Sequence, residues 1–186
     1  VFYDKHIVFH MVCAAIRWHV AAETSSNEEG LLTILITRWF QVYGAPKVLV
    51  IDGEKALGTV SAGQALARWC CSRKPKAPNQ HAYIIEKRGD LLRTQLKLTD
   101  TQMRAENIVA PFPVRLAEAV FAGNAMLSIN GSTPYNALFG RQPQMLPSLD
   151  GSAAALNDTT GNLEGMSRHV HRIRELALQN IVAGTA

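Results

Sequence analysis

Long apolar runs are missing from this sequence. None approaches the roughly 20 residues that a helix needs to cross a bilayer, so no membrane span is expected. No signal-peptide pattern opens the chain, which begins at Val1 in mid-pattern and reads as a fragment or an excised domain. Cysteine is scarce. Cys13, Cys70 and Cys71 form no CxxC pair, and adjacent cysteines rarely bridge, so they read as reduced core thiols of an intracellular protein. The Cys and His spacing of a zinc site is also missing, as is any internal repeat. What remains is apolar bulk. With 47% hydrophobic residues over 186 positions, the chain can bury a sizeable core and is not a disordered polymer. The length suits one domain plus an appendage.

The formal charge is only +4, but it is unevenly spread. Between Arg73 and Lys97 lie seven basic residues (Arg73, Lys74, Lys76, Lys87, Arg88, Arg93 and Lys97) against two acids, Glu86 and Asp90. Such a stretch suits a polyanion such as nucleic acid, and it also suits a solvated helix face.

The order of elements is mixed. Val1-Phe2-Tyr3 reads as the tail of a strand, Asp4-Lys5 as a turn, and Ile7–Ala15 and Arg17–Thr24 as two further antiparallel strands. Ser25-Ser26-Asn27, which supply a capping side chain, followed by Glu28-Glu29 open a helix that closes near Gly44. Val48-Leu49-Val50-Ile51 is a buried strand that ends abruptly in Asp52-Gly53-Glu54. Gln64–Cys71 reads as a short helix, and Ser72–Gln80, with two prolines and three basic residues, as a mobile loop. A helix then spans His81–Leu98, weakened at Gly89, and another spans Val114–Leu127. Thr133 as N-cap with Pro134 behind it gives a short capped helix. The expected organisation is a core over 1–147, a Ser-, Ala- and Gly-rich linker over 148–161, and a helical extension over 162–186.

An acid at the carboxyl end of a buried strand sits where α/β proteins place their ligands. Asp52 is such an acid, and Glu86 follows 34 positions later on a helix. Two carboxylates brought together can share divalent cations. Taken singly, Asp52 also reads as a turn acid and Glu86 as a solvent-facing helical residue. Glu54 reads as a surface neighbour, and His81 either touches phosphate or caps the helix.

The strand ending in Asp52, the segment Ile84-Ile85-Glu86 and the run Gly131-Ser132-Thr133-Pro134-Tyr135-Asn136-Ala137-Leu138-Phe139-Gly140-Arg141 together resemble the catalytic core of retroviral and retrotransposon integrases. These are the DDE recombinases of the ribonuclease H-like fold. The resemblance covers roughly residues 1 to 147. It implies a mixed sheet of three antiparallel strands and then a parallel one, flanked by helices. It further implies metal-dependent DNA strand transfer within a retroelement polyprotein, on two Mg²⁺ or Mn²⁺ ions, by a homo-oligomer acting on DNA in the nucleus. Asp52 and Glu86 take the places of the second and third catalytic acids. The first falls upstream of Val1, with Asp4 as the one candidate inside the chain. Arg73, Lys74, Lys76, His81, Lys87 and Arg93 are the expected nucleic-acid contacts. The chain departs from the pattern at Gly53, where the family usually has Asn, and at Asp90, where it often has Lys. Those departures leave a second reading open: a degenerate relative that binds nucleic acid or oligomerises without chemistry. Another ribonuclease H-like nuclease is a third, and the Gly131–Arg141 run argues against it.

Overall fold

Asp4-Lys5 turns the chain as its residue types suggest. Strand β1 (Phe2–Tyr3) pairs antiparallel with β2 (His6–Val12), setting Phe2 opposite Ile7 and Tyr3 opposite His6. Asp4 takes φ +48°, a left-handed conformation that Asp adopts more readily than most residues. The computed structural model describes residues 1–25, 27–51, 55–75, 83–146 and 163–185. Two compact units make up the chain: Val1–Met11 with Val20–Glu86, and Val12–His19 with Lys87–Ala186.

In the first unit β3 (His19–Glu23) completes a three-stranded sheet of order β1-β2-β3, bonded antiparallel through contacts such as the Thr24 amide to the Ile7 carbonyl at 2.9 Å. Asn27 caps α1 (Glu28–Leu35) by accepting the Gly30 amide at 2.7 Å, and Glu28 and Glu29 sit in the first turn, where the helix dipole favours them. The helix continues through a π-helical segment (Ile36–Phe40) into α2 (Gln41–Tyr43) and stops at Gly44, whose φ of +82° suits glycine. Its inner face packs Leu35 and Phe40 against Met11, Leu66 and Cys71. Burial pushes the Cys71 thiol above its usual range, whereas Cys70 is exposed. Only one of that adjacent pair is therefore a core thiol.

Strand β4 (Val48–Ile51) pairs in parallel with β5 (Ser72–Pro75). The expected loop at 72–80 is corrected here, because its first four residues form a strand. Nothing in Ser-Arg-Lys-Pro favours a strand, but pairing with an apolar neighbour outweighs propensity. Pro75 stands at the last position, where a missing amide costs least. Among the described residues β4 and β5 form their own two-stranded sheet, instead of extending the antiparallel one as expected. The mixed α/β class holds, with its strands in two sheets. Helix α3 (Val60–Ala67) starts four residues earlier than expected, because Thr59 caps it by accepting the Ala62 amide at 3.0 Å.

The second unit is helical. Helix α4 (Tyr83–Ala105) runs seven residues past the expected end at Leu98. Thr99 and Asp100 look like terminators, yet both are buried: Thr99 meets Asn180 at 3.1 Å and Asp100 pairs with Arg115. The helix closes through Asn107 at φ +55°, with the Ile108 amide reaching back to the Met103 carbonyl at 2.8 Å. Helix α5 (Phe112–Met126) is followed by a two-residue turn, Asn130-Gly131, both at positive φ, bridged by Ile129 and Ser132. Helix α6 (Pro134–Phe139) then has Thr133 as its cap, as expected, and ends at left-handed Gly140. Trp18, Tyr135, Phe139 and Phe121 form a chain of ring contacts at 4.7–6.3 Å centroid separation.

Helix α7 (Leu163–Ala183), the expected helical extension, packs into the core of this unit. Ile173 and Leu176 pack on Met103, while Ala177 and Ile181 pack on Ala122. Arg174 forks onto Glu118 at 2.6 and 2.9 Å and lies over the Phe121 ring, and Arg172 forks onto Glu106 at 2.8 and 2.7 Å. The expected linker at 148–161 lies outside the described residues. Leu176→Ala is expected to lower the unfolding free energy by about 3 kcal/mol in urea titration, the cost of a core cavity. A loosely appended helix would lose almost nothing.

Candidate metal and nucleic-acid site

Strand β4 brings the chain to the position of Asp52. Ile51, the last residue of the strand, is buried with Leu57 and Leu31 in one apolar cluster. Asp52 and Glu54 themselves lie outside the described residues. The chain resumes in a 3-10 turn (Ala56–Gly58) and then the Thr59 cap. Both flanks of the segment 52–54 are thus held against the same Leu31. A further tie crosses to α1, where the Thr59 hydroxyl donates to Glu28 Oε2 at 2.7 Å. This bond, with one from Ser61, holds the Glu28 carboxyl below its ordinary range.

The β4–β5 register sets Ile51 opposite Pro75. Because the strands are parallel, the chain leaves both at the same edge of the sheet. From the β5 end, seven residues outside the described set lead to α4. Glu86 is exposed in the first turn of that helix, where the dipole favours a carboxylate.

The six expected nucleic-acid contacts fare differently. Lys74 is exposed on β5, and Lys87 is exposed one residue past Glu86. Arg73 is half-buried, and its Nη1 donates to the carbonyls of Leu57 and Thr59, each at 2.6 Å. Arg93 pairs with Asp90 one turn before it. Lys76 and His81 lie outside the described residues. Asp4 is exposed in the hairpin turn between β1 and β2, off the strand proper. Among the described residues no group of three or more His, Cys, Asp or Glu side chains could hold a metal ion, and Asp52 is not among those residues. The donors proposed from sequence are carboxylates, the hard oxygen ligands that Mg²⁺ and Mn²⁺ take.

The second unit holds a cation that the sequence reading counted only as part of the basic patch. Arg88 is 8% exposed. Its Nη2 donates to Asn124 Oδ1 at 3.1 Å, and its Nε has no hydrogen-bond partner. The same Asn124 oxygen accepts the His19 amide at 3.0 Å, while its Nδ2 donates to the His19 carbonyl at 2.8 Å. The guanidinium lies so close to α5 that a Cβ at Gly123 would fall 2.8 Å from Nη2. Burial lowers the Arg88 pKa to about 10, which leaves it charged at neutral pH. A depressed basic pKa is a folding penalty that persists below that value and is relieved only as pH rises above it. A signal for this burial exists in the sequence, since Arg88, Leu92, Leu96, Thr99 and Met103 share the inner face of α4.

A scan against models of protein families finds no match for this chain, and no curated protein matches it. The functional reading therefore rests on its own residues.

Asn124→Ala is expected to cost about 3 kcal/mol in urea unfolding, because it strands the buried His19 backbone groups and the Arg88 charge together. Adding Arg88→Met should recover part of that loss. A double variant less stable than Asn124→Ala alone would show that the arginine is stabilising without its partner.

Proposed function

We propose that this chain is the catalytic core of a DNA-integrating polynucleotidyl transferase of the ribonuclease H-like class, with Asp52 and Glu86 as its metal-binding acids. The observation that carries the reading is the parallel β4–β5 pair. Its common edge is where the chain leaves Ile51 for Asp52, and where it leaves Pro75 for the helix that displays Glu86. Thr133, Pro134 and Gly140, from the run that resembles integrases, serve as cap, first residue and left-handed stop of α6, which agrees with this reading.

In this role Asp52 and Glu86 would hold two Mg²⁺ or Mn²⁺ ions. Bound there, the ions supply charge neutralisation at a phosphodiester and activation of an attacking oxygen. The chain's own residues bind and orient. Lys74 and Lys87, both exposed, offer sequence-neutral phosphate contacts that weaken with salt. In strand transfer a DNA 3′-hydroxyl oxygen bonds to phosphorus as the bond to the leaving 3′-oxygen breaks, with the proton passing to solvent. With water as nucleophile the same geometry trims an end.

The Asp90–Arg93 ion pair favours a second reading, because it takes up a cation beside the acid-bearing turn. In that reading the chain binds DNA and performs no transfer. A Mn²⁺-dependent strand-joining assay on an oligonucleotide duplex separates the two. Joining is expected, with Asp52→Asn and Glu86→Gln each lowering the rate on the order of a thousandfold, as loss of groups that stabilise developing charge does. DNA affinity should hold or rise, since each change removes a negative charge. DNA binding without joining supports the second reading, and joining that survives either substitution rejects both acids.

A further inference from the structure

We infer that Arg88 is a stored phosphate-binding residue, whose guanidinium rests against Gly123 of α5 in the free chain and swings outward to a nucleic-acid phosphate. The inference rests on the nucleic-acid-binding part of the reading above, and on neither the two acids nor a metal. Arg88 is 8% exposed, and no acid among the described residues pairs with it. Among those residues its one hydrogen bond runs from Nη2 to Asn124 Oδ1 at 3.1 Å, and Nε has none. Burial does not discharge it at neutral pH. A full charge held by one neutral amide, with a donor left over, is a costly arrangement for a side chain long enough to reach water.

Departure of the arginine leaves its partner satisfied. Asn124 keeps both bonds to His19, accepting the amide at 3.0 Å and donating to the carbonyl at 2.8 Å, so no polar atom of Asn124 is orphaned. The berth itself is made by a missing side chain. A Cβ at position 123 would lie 2.8 Å from Nη2 and 3.0 Å from Nη1, inside contact distance, so glycine is what lets the guanidinium lie there. Glycine inside a helix is unfavourable, and Gly123 stands within α5 and serves no turn. Lys87, one residue back on α4, is exposed, and an arginine stem can carry its head from an inner helix face toward that surface. There the planar fork meets phosphate oxygens in pairs, which the single amide oxygen of Asn124 cannot offer. Nucleic acid draws on the outward state alone, so storage against Gly123 holds affinity down by the fraction of chains that are stored.

Duplex DNA binding by the full chain tests this with Gly123→Ala, Arg88→Met and the double variant, each checked for folding by urea titration. Gly123→Ala fills the berth and keeps the charge, so affinity should rise about tenfold, the gain when a state populated at roughly one part in ten becomes the main one. Arg88→Met should lower affinity and reduce the slope of log affinity against log salt by about one. Its stability should hold, because the charge removed is buried without an acid partner. The double variant should match Arg88→Met, and a gain from Gly123→Ala that survives without the arginine overturns the inference. A Gly123→Ala chain that folds but binds no better overturns it too, as does one that no longer folds, because the guanidinium then has no outward position. Inorganic phosphate, titrated in place of duplex, should show a much smaller gain; a gain with it and none with duplex overturns the assignment to nucleic acid. A chain that binds no duplex in any form rejects the nucleic-acid reading as well. One that binds duplex with the same affinity and slope in every variant rejects this inference alone.

Discussion

The candidate site depends on one backbone ladder, the parallel pairing of Val48–Ile51 with Ser72–Pro75. Parallel strands need a crossover between them, and here the crossover is the turn at 56–58 and helix α3, packed through Leu57 and Leu66 into the apolar clusters under α1. That packing brings two otherwise distant stretches to one edge of a sheet. The polar Ser-Arg-Lys-Pro strand has little reason to be extended on its own. The backbone groups that face β4 are paired with it, its arginine is held by the turn, and its serine hydroxyl donates to the Lys47 carbonyl at 2.8 Å. The site's geometry is therefore no stronger than the hydrogen bonds of a strand whose side chains contribute almost no burial.

The second unit solves the opposite problem. Its helices are amphipathic, but their contact faces carry buried polar groups: Arg88 with Asn124, Asp100 with Arg115, Glu118 with Arg174, and Gln95 with the Ala177 carbonyl. Burying a charge costs more than most of these pairs return, and removing one partner costs more still. Such pairs select a register. A one-residue slip of α7 rotates its face by about 100° and would part Arg174 from Glu118 and Asn180 from Thr99 together. The same slip would turn Ile173, Leu176, Ala177 and Ile181 off the core, so polar and apolar contacts fix the register of α7 together.

Local chemistry made some elements legible in the sequence. Asn27, Thr133 with Pro134, and Gly140 each act through their own backbone within a turn, and each sits where its residue type predicts. Strand β4 was legible as a strand, because four apolar residues bounded by turn formers have few other uses. Its expected burial is corrected: Val48 and Val50 are exposed and only Ile51 is buried, since among the described residues β4 has one strand neighbour in a two-stranded sheet. What was not legible depends on partners distant in sequence. Strand β5 exists through its pairing with residues 24 positions earlier, the end of α4 is extended by Asn180 and Arg115, and α7 looked separable because its core contacts lie beyond a long unpatterned stretch. Arg73 and Arg93 looked like surface charges for the same reason. Sequence shows that a residue is basic, and only the fold shows what already occupies it.

This asymmetry bears on how far the resemblance to integrases can carry a function. The run from Gly131 to Arg141 is its most specific part, and every residue in it with an assigned contact does structural work. Ser132 closes the Asn130-Gly131 turn and accepts from the Asn136 side chain, Thr133 and Gly140 bound α6, and Tyr135 and Phe139 stack with Trp18. A signature of caps and ring contacts speaks for a way of folding. It would persist in a relative that had lost its chemistry, since α6 needs those residues either way. The claim to catalysis therefore rests on Asp52 and Glu86 alone. An acid in the first turn of a helix and an acid after a strand are each common. What the fold adds is the ladder: Asp52 follows Ile51 at the end of β4, and Pro75 opposite Ile51 ends the strand that precedes the helix of Glu86.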